Sequence, residues 1–280
     1  MREIHVDKII ETVKDLCMDA NYYLGDDVIC ALVDARQAEE SQVGQDVLDQ
    51  ILENVEIANL EKVAMCQDTG VAVVFLEIGQ DVHVVGGDLY DAVNEGVRQG
   101  YEEGYLRKSM VKNAFDRVNT KDNTPAVIHA DIVPGENIKI TVAPKGGGSE
   151  NMSLVKMLPP SAGKNGVVDL VVKTVCDAGA NPCPPVIVGV GLGGTYEKAA
   201  LLGKKALLRE LGSSNPDTEL AEMEKEILKK INDCGVGPQG FGGRITALAV
   251  HIESFPCHIA SLPVGININC HVARHKEAVI

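Results

Sequence analysis

The sequence has 280 residues, 45% hydrophobic and 24% charged, an ordinary balance for a globular chain with one large core or two small ones. The formal net charge of −14 argues against nucleic acid as a partner, because phosphate binding needs a basic face, but an anionic small substrate can still sit in a locally basic pocket. No apolar run nears the roughly 20 residues of a membrane span, and Met1-Arg2-Glu3-Ile4-His5 is unlike a signal peptide, so no membrane is expected and a cytoplasmic location is the default.

Three helices are predicted first. Residues 7–20 put Ile9, Ile10, Val13, Leu16 and Cys17 on one face. Asp26 or Asp27 caps a second helix carrying Val28, Leu32 and Val33, and residues 45–57 carry Val47, Leu48, Ile51 and Val55 at helical spacing. Cys17 and Cys30 are expected as small core residues. The stretch Met65-Cys66-Gln67-Asp68-Thr69-Gly70 then sets a thiol, an amide, a carboxylate and a hydroxyl side by side, ahead of an apolar strand over 71–78. Such a run suggests a site at a strand edge. A strand over 83–85 and a Gly86-Gly87 turn lead to a helix capped by Asp88, running to about Gly104 with Ala92, Val93, Val97 and Tyr101 inward. Arg107 and Lys108, just beyond it, either complement the helix dipole or serve a site.

Residues 125–133 and 137–143 are expected to form a strand pair around Pro134-Gly135-Glu136. Lys145-Gly146-Gly147-Gly148-Ser149-Glu150 is a flexible loop or a main-chain cradle for an anion, and it lacks the ending of a P-loop. A helix over 167–178 is broken by Asn181-Pro182-Cys183-Pro184-Pro185, whose prolines fix the backbone and expose Cys183. Gly189, Gly191 and Gly194 satisfy G-x-G-x-x-G between a strand over 186–190 and a helix over 196–211. No second strand ending in an acidic residue follows, so close helix–strand packing is preferred to nucleotide binding. A short linker over 213–216, a charged helix over 218–231 and strand-like runs at 245–252, 258–262 and 264–269 complete the chain. The fold class is α/β, a helical N-terminal region packed around mixed β-sheets, in a single domain over 1–280.

The eight cysteines show no C-x-x-C spacing. Cys66, Cys183 and Cys270 stand out, each at the edge of a strand-like run beside polar or proline residues. Three dispersed thiolates can hold zinc together with a histidine, or an iron–sulfur cluster, and they are unlike the tight local run of a ferredoxin. On a four-iron cluster they would leave one iron open to act as a Lewis acid.

Several motifs, in order, resemble the iron–sulfur-dependent hydro-lyases, the class I fumarases and L-tartrate dehydratases. They are Cys66-Gln67-Asp68-Thr69-Gly70, Asp122-Asn123-Thr124-Pro125-Ala126-Val127-Ile128-His129, Lys145-Gly146-Gly147-Gly148-Ser149-Glu150-Asn151, Cys183-Pro184-Pro185, and Cys257-His258-Ile259-Ala260-Ser261-Leu262-Pro263 through Cys270. The resemblance covers nearly the whole chain and is to the α subunit of the two-subunit form. It implies a [4Fe–4S] cluster on Cys66, Cys183 and Cys270 with one open iron. It also implies substrate binding by Gln67, Arg107 and Gly147, and catalytic roles for Asp68 and His258. A C4 dicarboxylate substrate follows, with hydration of fumarate to L-malate first and L-tartrate to oxaloacetate second. So do a β subunit carrying the second half of the active site, including the base, and a dimer of αβ units. Cys257 stands where the family pattern has a basic residue. Cys176, Cys234 and Cys257 are taken as non-ligands, and Cys270 as the third ligand. A nucleotide-dependent enzyme using residues 189–194 and a non-catalytic structural-zinc subunit remain as other classes.

Overall fold

The computed structural model describes residues 1–280. In chain order its elements are β1 (Arg2–His5), α1 (Val6–Tyr22), α2 (Asp26–Ala38), α3 (Gln42–Glu61), β2 (Val71–Gly79), β3 (Val82–Val85), α4 (Leu89–Glu103), β4 (Val127–Val133), β5 (Ile138–Lys145), the short α5 (Gly147–Glu150), β6 (Leu154–Leu158), α6 (Gly163–Ala178), β7 (Val186–Gly193), α7 (Tyr196–Ala206), α8 (Thr218–Asn232), β8 (Ala247–Phe255), β9 (Leu262–Asn269) and β10 (Lys276–Val279). The fold is α/β, as expected. The chain folds into two compact units. The first comprises Met1–Gly25, Asn54–Gly147 and Arg274–Ile280; the second comprises Asp26–Glu53 and Gly148–Ala273. No helix is long and apolar enough to cross a membrane.

In the first unit β2 lies inside a sheet of order β10-β5-β2-β4, parallel to β4 and antiparallel to β5. Its near-continuous apolar run suits a strand covered on both faces. Ile9, Val13 and Cys17 of α1 and Val93, Val97 and Tyr101 of α4 share a core with Val74, Leu76, Ile140 and Val142 of the sheet. Asp88 caps α4 by accepting from the Tyr90 and Asp91 amides at 2.8 and 3.0 Å.

The expected strand pair over 125–143 does not form. Its two strands exist, but β2 lies between them, so both pair with β2 and not with each other. The turn at 134–136 is a local signal, whereas the choice of neighbour is long-range. β1, β6 and β10 were not anticipated. The run over 258–262 is largely a turn, with the strand beginning at Leu262. Cys17 is fully buried, but Cys30 is exposed because α2 buries the face of Val28, Leu32 and Ala35 instead.

The second unit has a sheet of order β6-β9-β7-β8, with β7 antiparallel to β9 and parallel to β8. Val168 and Val171 of α6 and Ile227 and Ile231 of α8 join Val188, Val190, Ile252 and Ile266 of the sheet in one core. Gly189 and Gly191 let α7 press against β7: a Cβ at either would stand 2.0 Å from the Gly203 carbonyl oxygen or 2.1 Å from that of Ala199. The glycine pattern is thus a packing device.

Candidate active site

The register of β2 against β5 builds the first part of the site. Val71 pairs with Lys145, so the residues before β2 lie beside those after β5. The Gly70 amide donates to Oδ1 of Asp68 at 3.0 Å, and the Gly147 amide to Oδ2 at 2.7 Å. Both carboxylate oxygens are oriented by main-chain donors, and charge makes these bonds strong. Gly70 has φ +78°, and a Cβ there would stand 2.7 Å from the Lys145 nitrogen, so no other residue fits without a shift.

Buried side chains hold the carbonyls of the same turn. Arg274 Nη2 donates to the Asp68 carbonyl. The Tyr101 hydroxyl donates to those of Thr69 at 2.8 Å and Gly70 at 3.0 Å, and Asn123 Nδ2 reaches Gly70 at 3.1 Å. Burial pushes the Tyr101 phenol far above its ordinary value, which keeps it a neutral donor. Thr69 Oγ1 donates to the Arg107 carbonyl at 2.8 Å, tying the segment after α4 to the turn. Before the turn, the Met65 amide donates to Asn21 O at 3.1 Å and the Met65 carbonyl accepts Asn54 Nδ2 at 2.8 Å, which fixes the chain entering Cys66. Cys66 and Asp68 are half-buried, while Gln67 and Arg107 are exposed.

The Gly147 amide, which the resemblance implies as a donor to substrate, here donates to Asp68.

The second unit brings Cys183 and Cys270 to one end of its sheet. β7 begins shortly after Cys183, and its Ile187 pairs with Asn269, the last residue of antiparallel β9. The His271 amide donates to the Cys183 carbonyl at 3.3 Å, and His271 Nδ1 lies 3.0 Å from the same oxygen. Gln239 donates from its amide and from Nε2 to the Pro184 carbonyl at 2.8 and 2.7 Å. Cys183 is exposed with φ +55°, a backbone state uncommon outside glycine and held here by these bonds. Cys270 is half-buried.

His258 lies at the opposite end of that sheet, between β8 and β9 and near Gly193. Its Nδ1 accepts the Ala260 amide at 3.1 Å, so the neutral ring carries its proton on the exposed side chain's Nε2. The turn borders an open cleft of 580 Å³ lined by Thr195, Lys198, Phe255 and Cys257, among others. Cys257, at this same end, is far from Cys183, whereas Cys270 is its neighbour. No three His, Cys, Asp or Glu side chains converge as the ligands of a single metal ion would.

Residues 10–279 match the family described as Fumarate hydratase (Fumerase). The chain belongs to this family. It is 45% identical over 273 residues, 95% of each chain, to a Methanocaldococcus jannaschii protein provisionally named L(+)-tartrate dehydratase subunit alpha. It is 34% identical over 280 residues, 98% of this chain and 91% of the other, to the L(+)-tartrate dehydratase subunit alpha of Escherichia coli strain K12, and equally to that of Shigella sonnei. As a member of the Fumerase family the chain is a hydro-lyase subunit.

Sequence reasoning missed Tyr101 and Asn123 as anchors of the turn, and it missed Arg274, Gln239 and His271 altogether. Asn123 lies inside the quoted 122–129 motif, and His271 follows Cys270 directly. Arg274 carried no local signal.

Proposed function

We propose that this chain is the α subunit of a two-subunit iron–sulfur hydro-lyase that converts L-tartrate to oxaloacetate. The supporting observation is likeness over nearly the whole chain to proteins named as α subunits of L(+)-tartrate dehydratase. These names favour tartrate over fumarate, the reverse of the order taken from sequence alone. The family description keeps hydration of fumarate to L-malate as the second reading.

Cys66, with Cys183 and Cys270, would hold a [4Fe–4S] cluster. The donor set fits: all three are thiols with accessible or half-buried side chains, and His271, the residue after Cys270, hydrogen-bonds the Cys183 carbonyl through its amide. When bound, the cluster supplies a Lewis acid for the departing hydroxyl. Arg107 presents an exposed guanidinium that can take a substrate carboxylate in two parallel bonds, with Gln67 beside it as a neutral donor. Asp68, protonated before the step, gives its proton to the leaving oxygen and is left as the carboxylate that the Gly70 and Gly147 amides hold. Gly147 contributes by orienting Asp68. A β subunit supplies the base that takes the carbon-bound proton, with further carboxylate-binding groups. His258 offers its Nε2 proton, and a dimer of αβ units accounts for its position: the His258 turn of one α copy serves the thiols of the other. Reduced thiols fit a cytoplasmic location.

The test is anaerobic purification with and without a β-type partner, followed by assay of L-tartrate dehydration and fumarate hydration. The expected result is turnover of L-tartrate by the complex, none by the lone chain, and loss of activity in air. Preference for fumarate would select the second reading. Full activity of the lone chain would overturn the divided site.

A further inference from the structure

Arg274 is 4% exposed. Its Nη2 donates to the carbonyl of Asp68, while its Nε and Nη1 are buried with no hydrogen-bond partner. A guanidinium is always charged, and burying it with donors unused is costly. A neutral donor would hold the carbonyl as well: Tyr101 and Asn123, both fully buried, do so for the next two carbonyls of the turn. The one carbonyl held by a cation belongs to the residue with the carboxylate. That carboxylate is itself clasped by the Gly70 and Gly147 amides, so a shift of the Asp68 peptide would break both bonds.

We propose that Arg274 is a positioning residue for Asp68: its bond to the Asp68 carbonyl fixes the peptide, and the fixed peptide keeps the side chain in the pose set by the Gly70 and Gly147 amides. Arg274 touches no substrate in this role. The proposal rests on the reading of Asp68 as the proton-transferring group. It predicts that loss of Arg274 slows turnover and leaves substrate affinity largely intact.

Arg274→Met keeps the length of the side chain and removes both charge and donors; Arg274→Lys keeps the charge and one bond. Each is compared with wild type in the anaerobic αβ complex, with cluster absorbance measured alongside activity. For Arg274→Met the expected result is a fall in kcat on the order of 100-fold with KM within roughly threefold and cluster content unchanged. Arg274→Lys should recover a clear part of kcat. Amide exchange of Gly70 and Gly147, followed in the same complexes, should accelerate by about tenfold or more in Arg274→Met. A rise in KM at constant kcat would make Arg274 a substrate ligand, and unchanged kcat and exchange would leave it without a role; either overturns the proposal. So would activity falling only in proportion to lost cluster, which marks a structural residue. If Arg274→Met does not fold, Arg274→Lys decides by the same split between kcat and KM. If the wild-type complex turns over neither tartrate nor fumarate, the functional reading fails, and the exchange at Gly70 and Gly147 still decides whether Arg274 positions Asp68.

Discussion

The Gly147 amide donates to Oδ2 of Asp68 at 2.7 Å, although the two residues are 79 apart in sequence. With Gly70 on Oδ1, this leaves no rotational freedom to the carboxylate. In Asp68→Asn one main-chain N–H must face the new NH₂, donor against donor, and the oxygen proposed to carry the proton is gone. We expect kcat of the αβ complex to fall by about 10²- to 10⁴-fold, with a smaller change in KM and an unchanged cluster spectrum. Steady-state kinetics beside absorbance will show this, and retention of wild-type kcat would remove Asp68 from the chemistry.

Gly70→Ala attacks the same turn through its backbone. The new Cβ meets the Lys145 main chain at 2.7 Å from a residue with φ +78°, where neither β2 nor β5 can give way cheaply. The expected loss is on the order of 3 kcal/mol, or a fall in Tm of roughly 10 °C, seen in a thermal melt of the isolated chain. A neutral effect would mean that the junction of β2 and β5 is looser than the register implies.

Local signals made much of this visible in sequence. The cap at Asp88 and the inward spacing of Ala92, Val93, Val97 and Tyr101 define α4 without any tertiary knowledge, and all four are buried. The polar run 66–70 before an apolar strand singles out, for the same reason, the turn that Tyr101, Asn123 and Arg274 hold. Long-range choices stayed hidden. The turn at 134–136 suits a hairpin, yet β2 enters between its strands. Arg274 binds the turn from 206 residues away, and an arginine in a C-terminal stretch gives no hint of its partner. Cys183 and Cys270 could be singled out by setting, but only the pairing of β7 with β9 brings them to one end of a sheet and leaves Cys257 at the other.

Glu39 offers a test of stability against pH in the second unit. It is 2% exposed and accepts the amides of Glu40, Ser41 and Arg244 at 2.9 Å and that of Ile245 at 2.8 Å. Burial pushes its pKa up, but the amides of Ile245, Ser41, Arg244 and Glu40 outweigh it, so the carboxyl ends below its ordinary 4.5. A folded-state pKa below the unfolded one gives stability that is complete above the unfolded value and is lost as pH falls through the folded value. Glu39→Gln places an NH₂ among four donors. It should cost about 2–3 kcal/mol at pH 7, and the gap to wild type should narrow in acid. Urea midpoints at pH 7 and near pH 4 measure both; a gap independent of pH would mean that the charge of Glu39 contributes nothing.

His258 and Cys270 stand at opposite ends of β9, whose 8 residues run from Leu262 to Asn269. At about 3.3 Å per residue the strand alone spans roughly 25 Å, which is longer than a histidine side chain and a four-carbon substrate can bridge together. The proposed dimer of αβ units would draw the histidine and the thiol from different copies, and complementation tests it. α chains with His258→Ala and with Cys270→Ser should each be inactive with the β subunit. Co-expressed, they form mixed dimers in which one site carries both lesions and the other carries none. Random assembly then restores about a quarter of wild-type sites in a two-fold dimer. If histidine and cysteine served the same copy, every site in a mixed dimer would hold one lesion and no activity would return. Full activity of His258→Ala alone would instead take His258 out of the site, and its Nε2 would face only the 580 Å³ cleft beside Lys198 and Thr195.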